Sequence, residues 1–314
     1  MRRKNAVIRN EKLESRRVVQ LFSEIVYEDI SKRKYPPTLI FNDPDDLFFH
    51  ASSVQLRNLG YDVYHWKESR LESSFSYNPL EKIVEQKRQG NEDVAAGLIR
   101  EVVDLIWFEK NTTFHFEESR VFTLILDALV EESAAQGKHL SLCDLKIDKA
   151  HLESIPAIKE VGESILARIS ARIDGVNHHS ISKSTITLEE VGYGERPVAI
   201  FMSKSESNLI QCVQSMWIND LYRAIALKRM NNQNPCNREI IITLRDFCEM
   251  HPIPNIDTMT CISVGSQIYF NFLVDSLKEL TEKYGENAAQ RIAANCVGPA
   301  GIDFLTYFSQ KAKA

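Results

Sequence analysis

The apolar, β-branched run Ile240-Ile-Ile-Thr-Leu244 stops abruptly at Arg245 and Asp246. A β-branched run of this kind, without alternation, predicts a central strand covered on both faces of an α/β sheet. Ligands in such sheets sit beyond the carboxyl ends of the strands, which puts Arg245 and Asp246 where chemistry is expected.

Upstream, residues 1–34 mix Arg and Lys with Glu and carry Val18, Val19, Leu21, Phe22, Ile25 and Val26 at helical spacing, predicting an amphipathic surface helix. Pro36-Pro37 ends it, and Thr38-Leu-Ile-Phe41 reads as a buried strand running into Asn42-Asp-Pro-Asp-Asp46. A helix over 46–58 closed by Gly60 and a strand over Tyr61–Trp66 complete a βαβ unit. After Asn78-Pro79 the period changes. Ala95, Leu98, Ile99, Val102, Val103, Ile106 and Trp107 form one helical stripe, and Val121, Leu124, Ile125, Ala128, Leu129 and Val130 form another. Residues 181–190 read as a polar return segment. The α/β pattern resumes with a strand at Arg196–Met202, a helix over 206–230, the Ile240 strand, a strand at Ile268–Val274, and helices at 276–284 and 286–295. The expected organisation is an N-terminal helix (1–36), the first half of an α/β domain (37–80), an inserted all-α domain (81–190) and the second α/β half (191–314).

Composition narrows the function classes. A chain of 314 residues with net charge -5 and 44% hydrophobic content reads as a soluble globular protein rather than a free-standing basic nucleic-acid binder. No apolar run reaches membrane-spanning length, and no hydrophobic segment follows the basic N-terminus as a signal peptide requires. Six scattered cysteines with no CxxC pair predict reduced thiols in the cytoplasm.

A P-loop needs GxxxxGK[ST], because glycine amides cradle the phosphates and the hydroxyl holds Mg²⁺. The one Gly-Lys pair, Gly137-Lys138, has Glu132 at the first glycine place and is followed by His139. The strand ending in Arg245-Asp246 has the outline of a Walker-B element, but Arg245 stands at the metal-holding acid, and a guanidinium repels Mg²⁺. Asp246 as a hydrolytic residue is set against an Arg–Asp pair that merely finishes the strand, and the second reading is favoured. Cys236, Cys248, His251 and Cys261 have ligand chemistry at irregular spacing, so no metal site is expected. HExxH and Gly-x-Ser-x-Gly do not occur. Lys32-Arg-Lys34, Lys87-Arg88 and Lys311-Ala-Lys313 read as solvated faces.

Together these segments resemble the TraG/TraD family of conjugative coupling proteins, RecA-like hexameric ATPases that bring relaxase-bound DNA to a type IV secretion channel. Leu39–Asp46 is similar to the family's strand followed by Asp-Pro-Lys-Gly, with Asp43-Pro44 retained and Asp45-Asp46 in place of Lys-Gly. Gly60-Tyr-Asp-Val63, Asn78-Pro-Leu80, Ile253-Pro-Asn-Ile256, Tyr284-Gly285 and Asn295-Cys296 match further family elements. The resemblance implies a RecA-like, P-loop-NTPase-type, mostly parallel sheet with an inserted all-α domain. It also marks departures. The family's Walker A precedes its Asp-Pro-Lys-Gly strand, where this chain has no counterpart. Val264-Gly-Ser-Gln-Ile268 replaces an arginine-finger segment, Asp275 replaces the phosphate-sensing Gln, and the chain stops before the family's remaining strands. Asp43, Pro44, Arg245, Asp246 and Asp275 are therefore expected to be vestiges of a nucleotide site, with no catalytic residue, and ATP and Mg²⁺ are expected to bind poorly.

The resemblance implies a non-hydrolysing scaffold or adaptor of conjugative transfer, or a decayed copy. Alternatives are an ATPase subunit completed in trans by a P-loop-bearing partner and a relaxosome-docking module. Implied partners are relaxosome or relaxase proteins and secretion components, with DNA and a homo- or hetero-oligomer as further options. The implied location is the cytoplasm, including the inner face of the cell membrane.

Overall fold

The structure, a computed structural model, describes residues 5–9, 30, 32–68, 73–108, 116–145, 161–173, 179–231 and 238–297. Among the described residues seven strands form one sheet: β1 (Asn5–Arg9), β2 (Thr38–Asn42), β3 (Asp62–Trp66), β4 (Val198–Met202), β5 (Ile240–Leu244), β6 (Ile268–Val274) and β7 (Cys296–Val297). Their spatial order is β3-β4-β2-β5-β6-β1-β7, and every neighbouring pair is parallel.

The strands of the sheet centre are buried on both faces, which is why they are apolar without alternation. Ile40, Ile200, Ile242 and Phe270 join one core, while Leu39, Phe41, Phe201 and Ile241 join a second on the opposite face. The second core is closed by α1 (Leu47–Asn58) through Phe48 and Leu56. The first is closed by α7 (Asn208–Asn231), whose Val213, Trp217, Leu221 and Ile225 are all buried.

Between β3 and β4 the described residues contain no strand; they hold α2 (Pro79–Arg88), α3 (Glu92–Ile106), α4 (Phe116–Gln136), α5 (Glu163–Ile173) and the short α6 (Leu188–Tyr193). Asn78 starts α2 by accepting from the Leu80 amide, with Pro79 pre-setting the first helical φ. These helices do not form a core of their own: Ile83, Val102 and Phe122 belong to the same buried cluster as Ile200 and Ile242. After β5 come α8 (Ile256–Ile262), α9 (Leu277–Tyr284) and α10 (Glu286–Ala294).

Two expectations are corrected. Asn5–Arg9 lies within the segment read as an amphipathic helix, yet it forms β1, in register with Asn271–Val274 of β6. The apolar triplet Ala6-Val-Ile8 is short, with β-branched Val7 and Ile8, and the edge of β6 supplies the hydrogen-bond partners that local periodicity cannot reveal. Most of the rest of that segment lies outside the described residues. The polar return segment likewise runs into a helix: its last residues form the first turn of α6, held at its start by a capping box in which Thr187 and Glu190 bond each other's amides.

The candidate site at the carboxyl ends of β2, β4 and β5

The connection leaving β2 leads to one side of the sheet, towards β3, and the connection leaving β5 leads to the other, towards β6. Such a reversal opens a crevice at the carboxyl ends, and here it falls between β2 and β5. The residues that line it are the ones that follow the two strands.

Asp43 is fully buried. Its carboxylate accepts from the amides of Phe48 (3.1 Å) and Phe49 (2.8 Å), so it sits as a fixed anion on the N-terminus of α1. Burial pushes its carboxyl up to about 6, against the opposing pull of those two amides and of Arg245. Asp46, at φ 60°, turns the chain into the helix.

Arg245 reaches across from β5. Nη1 donates to Asp45 Oδ1 (2.5 Å) and Asp43 Oδ1 (3.2 Å), Nη2 donates to Asp45 Oδ2 (3.0 Å), and the guanidinium lies 5.5 Å from the Phe48 ring centre. The fork on Asp45 is bidentate, the strongest geometry open to an Arg–carboxylate pair. Asn42 Nδ2 donates to the Arg245 carbonyl at 2.6 Å and ties the ends of the two strands together. The expected Arg245–Asp246 pair is thus corrected. Asp246 adopts φ 48°, which directs the chain away from the strand, and Arg245 is taken by the β2 acids. The half-buried Asp246 carboxyl is raised by burial, with Glu249, Asp275 and Asp45 adding to the rise and Arg245 opposing it. Asp275 is exposed at the end of β6. The structure therefore gathers Asp43, Pro44, Arg245 and Asp246 at one crevice, with Asp275 close enough to act on Asp246.

Beside this lies a cluster the sequence did not announce. His65 Nε2 is 2.9 Å from both Asp46 Oδ1 and Ser203 Oγ, Ser203 Oγ donates to Asp46 (2.5 Å), and Lys67 pairs with Asp46 at 2.8 Å. A Ser–His–Asp relay needs the acid and the hydroxyl on opposite ring nitrogens; here both meet Nε2, so the group locks β3, β4 and α1 together. A second clamp is Lys283, which is buried and donates to the carbonyls of Phe247 (2.8 Å) and Met250, fixing the loop after β5. Only the adjacency of distant strand ends could have exposed either cluster.

Among the described residues no group of three or more His, Cys, Asp or Glu is placed to hold a metal ion. His251 is bonded to the Leu105 carbonyl and Cys261 to the Asp257 carbonyl, while Cys236 lies outside the described residues. No helix among them is long and apolar enough to cross a membrane.

No family model matches the sequence, and no curated protein matches it. Solved structures do match. The plasmid coupling protein TrwB in complex with the non-hydrolysable GTP analogue GDPNP aligns with a TM-score of 0.59 at 10% identity, over 93% of this chain and 68% of TrwB. The sulphate complex of the bacterial conjugative coupling protein TrwBdeltaN70 gives the same values, and TrwB with ADP and Mg²⁺ aligns at 0.55. At this identity the likeness carries the fold: a parallel sheet with surrounding helices, the RecA-like fold of the conjugative coupling protein TrwB.

Proposed function

We propose that this chain is a coupling-protein-like scaffold of conjugative DNA transfer that does not hydrolyse nucleotide. The observation that carries the reading is an exchange of charge at the crevice. Where the TraG/TraD resemblance puts Lys and a metal-holding acid, this chain has Asp45 and Arg245, and the two form a bidentate ion pair. The pair keeps the ends of β2 and β5 joined while removing the acid that would hold Mg²⁺. Phosphoryl transfer depends almost wholly on positioning and charge neutralisation, so this exchange alone removes much of the catalysis.

The place of β1 points the same way. The resemblance puts Walker A before the Asp43-Pro44 strand, and β1 is the described strand there. The sequence after it reads Asn10-Glu-Lys-Leu-Glu-Ser-Arg-Arg17, and the first glycine in the chain is Gly60. A phosphate cradle built on glycine amides has no material in this stretch. The compensated ion pair favours a kept scaffold over a decayed copy, because uncompensated decay would leave Asp43 buried without its cation.

Relaxosome or relaxase proteins and secretion components are the partners this reading assigns. Two measurements test it. Titration with MgATP, followed by Trp fluorescence and phosphate release with and without DNA, is expected to give no saturable signal and no turnover; quenching at micromolar ATP or hydrolysis above background overturns the non-hydrolysing part. Affinity purification of the tagged chain from cells carrying a transfer system is expected to bring down a relaxase, and its absence removes the transfer role.

A further inference from the structure

The opposite end of the sheet, where the strands begin, carries a second opening. There α6 sits against the first residues of β2 and β5: Thr38 Oγ1 donates to the Val191 carbonyl at 2.7 Å, and Gly192 lies beside the Ile240 side chain. A cleft of about 580 Å³, open to solvent, runs between α2, residues 184–189 and α7. Ile186, Leu188, Ala224 and Leu227 supply its apolar lining. Leu227 is 58% exposed, whereas Leu221 and Ile225 on the same helix are buried. A lone exposed leucine needs no explanation, but this one borders an apolar cleft that is itself uncovered.

The charges of the cleft are Glu81, Lys82, Glu189 and Lys228, two of each sign. Two of them are engaged within the chain. Glu81 accepts from the Ser184 amide at 3.0 Å, and the Lys228 ammonium lies 4.8 Å from the Tyr193 ring centre. Among the described residues neither Lys82 nor Glu189 has an ion-pair partner, and Lys82 acts on buried Asp220 only at longer range. A balanced set of charges does not suit a nucleic acid or an anionic membrane, which call for a basic excess. It suits a protein surface that brings one acid, one base and an apolar side chain. This patch carries all three itself. Under a two-fold axis each contact is made twice with the roles exchanged, so an unpaired acid and an unpaired base on one patch satisfy each other across the axis.

We infer that this cleft is a self-association surface. A second copy of the chain covers it about a two-fold axis, with Leu227 of each copy in the cleft of the other and Lys82 of each copy paired with Glu189 of the other. One cleft a side is at the small end for a specific interface, so the dimer is reversible, with a Kd in the micromolar range. The surface lies at the other end of the sheet from Arg245, and the inference stands or falls apart from the proposed function.

Sedimentation velocity of the full chain over a concentration series tests it. The unmodified chain is expected to pass from monomer to dimer at micromolar concentration. Leu227→Lys, at an exposed position, is expected to weaken the dimer at least tenfold, while Val54→Lys, equally exposed on α1, leaves it unchanged. Lys82→Glu and Glu189→Lys are each expected to weaken it, and the double variant to restore it, because both pairs re-form with their signs exchanged. A chain that stays monomeric at submillimolar concentration overturns the inference. So does an assembly that survives Leu227→Lys, one that Val54→Lys weakens as much, or a double variant no better than the single ones. Amide exchange of the unmodified chain decides the matter even if a variant does not fold: exchange across residues 184–189 should slow as concentration rises, and unchanged exchange there overturns the inference.

Discussion

Replacing Arg245 by Met removes the cation from the crevice while keeping an apolar stem against Phe48. Two acids lose a partner, and they are not equivalent. Asp45 is 47% exposed, so its share is that of a surface pair, at most about 1 kcal/mol. Asp43 is fully buried, and stranding a buried charge costs about 3–5 kcal/mol. That figure is an upper limit here, because Asp43 keeps the Phe48 and Phe49 amides and can take up a proton. A total of about 2–4 kcal/mol at pH 8 follows.

The pH sign is fixed by Asp43. Its carboxyl titrates at about 6 when folded and at 3.8 in the reference state. A raised folded value contributes stability that is fully present below about pH 4 and lost as the pH rises through 6, by roughly 3 kcal/mol for a shift of 2.2 (6 minus 3.8). At pH 5 Asp43 is already largely protonated, so Arg245→Met is expected to cost only about 1 kcal/mol there. Urea unfolding followed by Trp fluorescence at pH 5 and pH 8 measures both. In an Asp43→Asn background the cost at pH 8 should fall by at least about 1 kcal/mol. A loss at pH 8 no larger than at pH 5, or no coupling to Asp43, would refute the account of this crevice.

Two further substitutions probe how the crevice is held. Lys283→Met withdraws the two donations that fix the loop after β5 and is expected to destabilise by about 2–3 kcal/mol, with faster amide exchange across residues 247–253. Unchanged exchange in that loop would show that the clamp is not what orders it. Gly192→Ala places a methyl group 2.5 Å from Ile225 Cδ1, where α6 meets α7. A loss of about 1–2 kcal/mol in thermal or urea unfolding is expected, and an unchanged midpoint would mean that Ile225 moves aside freely.

The central strands, their flanking helices and the parallel sheet were legible in the sequence because each element carries its own period and stops. Ile240–Leu244 is apolar throughout because it is buried on both faces, and the turn residues Asn42–Asp46, Gly60 and Gly285 mark ends that lie within a residue or two of those observed. The positions Asp43, Pro44, Arg245 and Asp246 could be picked out for the same reason, as the residues that follow two such strands. What the sequence alone could not supply was which strands are neighbours. Ala6-Val-Ile8 is too short to declare itself and becomes a strand only against the edge of β6. Arg245 has its nearest acid in sequence at Asp246, yet it pairs with Asp45, about two hundred positions away, because β2 and β5 lie side by side. Period is written locally and survives reading one residue at a time. Partnership between charges depends on the strand order, and only the folded sheet decides that.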